Sequence, residues 1–154
     1  MPILTSFSLL MAIFLQSGNA PSFPEGTFTD KEQKKIEKNQ DDLKERIEVY
    51  KDASVRMQKK LRKDIRAKNF SPVPDYLKTW TSLLSGSLKD IEANLNPDKK
   101  RPKALIKYEI EIRKAVNDLK DYQLRAPVEQ QDAFDLCIAE ADTIRGKIVD
   151  ILFK

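Results

Sequence analysis

The sequence predicts an all-α protein: one long N-terminal helix over about residues 30–69, packed with three shorter helices in an irregular antiparallel bundle. Three observations carry that prediction. In four stretches the apolar residues recur at steps of three and four, which is the helical period. Proline-bearing breaks at Ser71-Pro72-Val73-Pro74, Asn96-Pro97 and Ala126-Pro127 separate those stretches. No apolar-polar alternation of strand length occurs anywhere.

The first helix is expected to be capped by Thr29 or Asp30 and to run without proline or glycine to about Asn69. Ile36, Leu43, Ile47, Tyr50, Met57, Leu61 and Ile65 fall within a sector of about 80° on its surface, with Ser54 filling a gap. Gln40 also lies in this seam, so the first third is poorly apolar. The second helix starts near Asp75 and ends near Leu95, with Leu77, Trp80, Leu84, Leu88 and Ile91 on one face. Ser85-Gly86-Ser87 marks its weakest point. The third runs to about Arg125 on Leu105, Tyr108, Ile112, Val116, Leu119 and Tyr122, with Ile106 and Ile110 on a flanking line. The fourth, from about Val128 to Leu152, carries Phe134, Cys137, Ala141, Ile144 and Ile148. A 40-residue helix is about 60 Å long, whereas helices of 21–25 residues reach about 32–38 Å. The first helix should therefore project, bend, or support a stack of the others.

Residues 1–20 differ in kind from the rest. They carry no charged side chain, and Phe7 to Leu15 form a short apolar run. A membrane span needs about 20 apolar residues, whereas the core of a secretory signal needs roughly 7–15. Gly18 and Ala20 stand where signal peptidase selects small residues, so cleavage is expected near Ala20, followed by export to the periplasm or beyond. The alternative is an N-terminal amphipathic or membrane-anchoring helix. Residues 21–29, with Pro21, Pro24 and Gly26, are expected to be an extended linker, and residues 30–154 a single helical domain. Cys137 lies among apolar neighbours and is expected to be a buried small hydrophobe.

Composition excludes several chemistries. The 154 residues include no histidine, one cysteine and four glycines. Histidine-based nucleophile activation and imidazole metal ligation are therefore absent, and no phosphate-cradling glycine motif occurs. Glu109 and Glu111 lie about 200° apart on a helix and cannot share a ligand. Asp118 with Asp121, and Asp132 with Asp135, share faces among polar neighbours without a metal-loop pattern. No catalytic residue, cofactor or metal site is expected, and the chain is not expected to be an enzyme.

Charge is unevenly placed. The net charge is +4, and all of it falls within residues 21–69, which hold 14 basic and 10 acidic side chains. Arg56, Lys59, Lys60, Lys63 and Arg66 share one face of the first helix, opposite Met57, Leu61 and Ile65. That stripe is a candidate anion-binding surface for acidic lipid or an envelope polyanion. Its alternative is ordinary solvation, with the cations favouring the negative end of the helix dipole. No aromatic residue interleaves with them in sequence, so nucleic acid is not an expected partner. Lys99-Lys100-Arg101-Pro102-Lys103 forms a second basic cluster in an interhelix turn.

The run Tyr108-Glu-Ile-Glu-Ile-Arg-Lys-Ala-Val-Asn-Asp-Leu119 and the apolar ending Ile148 to Phe153 resemble a loose group of uncharacterised exported helical proteins from soil bacteria. The resemblance covers the last third of the chain and implies export and an all-helical fold, with no activity to carry over. The expected function is contact with another protein, as an envelope adaptor, scaffold or chaperone-like factor, through a seam that outruns its neighbours. The partner would be another protein or a second copy of this chain.

Overall fold

The computed structural model describes residues 22–154, so the expected signal at residues 1–20 lies outside the described residues. Five α-helices follow in order: α1 (Asp30–Lys38), α2 (Leu43–Arg66), α3 (Val73–Asn94), α4 (Lys103–Gln123) and α5 (Gln131–Phe153). A single 3-10 turn, Val128–Gln130, precedes α5. No strand occurs among the described residues.

The helix expected over 30–69 is two helices. Thr29 and Glu32 form a capping box at the start of α1, and Asn39 ends it. Asp42 then caps α2 by accepting from the Glu45 N–H at 3.2 Å. The guanidinium of Arg46 reaches back to the carbonyls of Asn39 and Gln40. The interruption thus satisfies its own orphan acceptors without proline or glycine. Past the break, α1 lies back along α2, where Glu32 meets Arg56 at 2.8 Å. The projecting seam is therefore absent, and Ile36 and Leu43 both pack against the core.

Residues 22–29 are non-helical, yet they pack on the bundle where an extended linker was expected. Phe23 and Phe28 meet edge-to-face with centroids 4.9 Å apart, and Tyr50 lies 5.6 Å from Phe23. Thr27 is buried. Phe23 rests on Gly86, where an added Cβ would stand 2.5 Å from its ring. The glycine expected to weaken the second helix instead admits this strap, and α3 runs through it unbroken.

The remaining four helices form a ring in which α2 and α5 each pack on both α3 and α4. Ion pairs and hydrogen bonds fix the directions. Arg46–Asp90 and Ser54–Trp80 make α2 and α3 antiparallel. Glu109–Arg145 and Gln123–Asp135 do the same for α4 and α5. Ser54–Glu111 and Arg62–Tyr122 show that α2 and α4 run the same way. Two antiparallel hairpins therefore lie side by side in parallel. Trp80, Tyr50, Tyr108 and Phe134 are the largest side chains in their shared core.

Candidate functional site

The basic stripe survives only in part as a free surface. Arg56 is committed inward: its guanidinium donates to Glu32 Oε1 at 2.8 Å and to the Thr27 carbonyl at 2.9 Å, fastening α1 and the strap to α2. Burial works to raise the Glu32 carboxyl, but the Arg56 and Thr29 hydrogen bonds outweigh it and hold the group below its ordinary value. Lys59, Lys60, Lys63 and Arg66 are exposed. The first three share a shallow depression with Asp52 and Asp64, which offset part of their charge. Tertiary packing also supplies the aromatic that the local sequence lacks: Lys60 Nζ lies 5.1 Å from the Tyr76 ring of α3. The second basic cluster stands at the opposite end of the bundle, beside the C-terminus of α5. There Arg101 Nε donates to the Ile151 carbonyl at 2.9 Å. The two clusters do not combine.

The buried polar groups were not foreseen in the sequence. Arg46 and Asp90, 6% and 1% exposed, form a bidentate pair with two 2.9 Å bonds. The Tyr50 hydroxyl donates to the same carboxylate, and Asn94 Nδ2 donates to its other oxygen at 2.7 Å. Hydrogen bonding to Asp90 raises the Arg46 guanidinium, and burial raises the Tyr50 phenol. Asp90 continues the inward line of Leu83 and Ser87 along α3, which is the signal that could have found it. A second polar chain runs through the core: Trp80 Nε1 donates to Ser54 Oγ at 2.8 Å, and Ser54 faces Glu111 at 3.5 Å. Both networks tie helices together.

Glu109 and Glu111 point to different neighbours, as their angular separation requires. Glu109 pairs with Arg145 of α5 at 3.0 Å, whereas Glu111 turns to α2. Asp118 meets Arg62, and Asp135 accepts from Gln123. Cys137 is buried among α3 and α5 residues, and burial pushes its thiol up to about 11. Among the described residues no cluster of three or more Cys, Asp or Glu side chains could hold a metal ion.

The remaining surface of note is a groove of about 610 Å³ along the outer edge of α4 and α5. Its floor is apolar: Ile106 and Ile110, each 46% exposed, face Val149, Leu152 and the 85%-exposed Phe153. Ile106 and Ile110 are the flanking line noted in the sequence. They sit one turn apart on α4, outside the core stripe that begins at Leu105. Phe153, Arg113 and Arg145 carried no local signal, because only the α4–α5 pairing brings them to this edge. No helix among the described residues is long and apolar enough to cross a membrane. No family model, curated protein or solved structure matches the chain.

Proposed function

We propose that this chain is an exported, non-enzymatic helical protein that works through contact with another protein, as an adaptor, scaffold or chaperone-like factor. The observation that carries this reading is the exposed apolar edge formed by Ile106, Ile110 and Phe153. Apolar side chains gathered on one side of a charged bundle mark a contact surface, whereas singly scattered ones do not. This surface replaces the projecting seam, which the break at Asn39–Asp42 removes. Export rests on the apolar run and small-residue pattern of residues 1–20, and on the resemblance of the last third of the chain.

The test compares tagged wild-type protein with an Ile110→Glu, Phe153→Ser variant by cross-linking in the native envelope, read by mass spectrometry. A discrete protein recovered with the wild type and lost with the variant, at equal thermal stability, is the expected result. Identical recovery with both would remove the reading. A second reading, binding of acidic lipid or polyanion, is favoured by the exposure of Lys59, Lys60, Lys63 and Arg66. None of the four is in an ion pair among the described residues. It expects salt-sensitive binding to anionic vesicles that is lost when the four become glutamine. Arg56 is left out of that variant because it holds α1 in place.

A further inference from the structure

We infer that the groove between α4 and α5 receives an acidic amphipathic helix of a partner protein. This rests on the contact reading above and adds the chemistry of the occupant. Ile106 and Ile110 form a floor one helical turn long, and Val149, Leu152 and Phe153 supply the opposite wall. Such a trough between two helices accepts apolar side chains at i, i+4 and i+7 of a third.

The rim fixes the sign of charge. Lys100 and Arg113 stand at the groove and are exposed, and neither is in an ion pair among the described residues. Arg113 lies seven positions beyond Ile106, about 10 Å along α4, while Lys100 precedes the helix. The two cations thus bracket the apolar floor. Glu109, the acid that lines the groove, is already held by Arg145 at 3.0 Å. Arg101 is occupied by the Ile151 carbonyl at the end of α5 and by carbonyls of the turn before α4. The charge left unanswered is positive at both ends, and its complement is a helix with carboxylates flanking an apolar stripe.

A second copy of the chain fits poorly. A two-fold contact through this edge would set Lys100 and Arg113 of one protomer against the same cationic rim of the other. A lipid surface also fits poorly, because Phe153 alone protrudes, whereas Ile106 and Ile110 lie half-exposed in a trough between two helices. A bilayer is met by apolar side chains that protrude.

The experiment uses two synthetic helical peptides of about 14 residues with the same apolar stripe, one flanked by glutamate and one by lysine. Binding to the full chain is followed by fluorescence anisotropy. The acidic peptide is expected to bind, to weaken as salt rises, and to lose about tenfold or more in affinity with Ile110→Glu or Arg113→Glu. Circular dichroism melts check that each variant folds, and Ile110→Ser replaces the charged variant if that one melts early. Equal binding of both peptides, or binding indifferent to these variants, would overturn the inference. So would binding to anionic vesicles alone, or a dimer that shields Ile110. If neither peptide binds while Ile110→Glu, Phe153→Ser still loses its cross-linked partner, the acidic chemistry fails and the contact reading stands. If both are silent, both fail.

Discussion

Arg46 enters the interior because four acceptors meet it there: both Asp90 oxygens and the carbonyls of Asn39 and Gln40. Removing one member of a buried pair leaves the other charge desolvated and unanswered, at a cost of about 3–5 kcal/mol. Asp90→Ala should therefore lower urea-unfolding stability by that amount. Adding Arg46→Met should recover much of it, since an apolar replacement removes the stranded cation. Glu111 behaves differently. Burial raises its carboxyl above the ordinary 4.5, against the lowering effects of Lys114 and Ser54. Its folded value exceeds its unfolded one, so its contribution is present below about pH 4.5 and is lost as pH rises through the folded value. Glu111→Gln is expected to stabilise the protein at neutral pH and to make no difference in acid, as denaturant titrations at several pH values would show. Lys68 adopts a left-handed conformation with φ 55°. There it closes α2 through the bonds Asn69 N–H to Asp64 and Lys68 N–H to Ile65. Lys68→Gly should raise stability by about 1 kcal/mol, since glycine adopts that conformation without a Cβ clash.

The helices themselves were largely legible. The proline breaks placed α3, α4 and α5 to within a few residues, because proline removes a donor and fixes φ wherever it stands. The boundary inside residues 30–69 was hidden because no such punctuation marks it. Ile36 and Leu43 are seven residues apart, a spacing that keeps helical phase straight across the interruption. The traces that do exist are Asn39, Asp41 and Asp42, short polar side chains that bond to the backbone better at helix ends than inside. Phe23 was equally obscure, since its site is made by Gly86 more than 60 positions later. That contact makes a clean test. Gly86→Ala in a Phe23→Ala background should stabilise α3 by about 1 kcal/mol through helix propensity. In the wild type the new Cβ would meet the Phe23 ring, and the gain should vanish or reverse. A double-mutant cycle from denaturant unfolding reads the coupling directly. Gly146 is the internal control: a Cβ there meets nothing within 4 Å. Gly146→Ala should show the full propensity gain regardless of Phe23.

Across the molecule, the sequence located the excess charge but not which charges are free. Arg56 reads as one more member of a basic stripe until α1 folds back and brings Glu32 to it. The apolar groove likewise needs two helices whose registers no local pattern specifies. The same folding-back accounts for the expected quaternary state. With the first helix broken and covered, no long seam remains to pair with a second copy, and sedimentation at physiological salt should return a monomer. The ring arrangement has a further consequence, one of time. Each hairpin covers only part of the apolar surface it presents, and α5 leaves the ribosome after α3 and α4, the helices it packs on. Until it arrives, the faces of α3 and α4 that it will cover stay open to water and to other chains. A chain cut short before α5 should therefore fail as a whole, giving an aggregating species instead of a stable three-helix remnant. The ring of four helices can close only once α5 has been delivered.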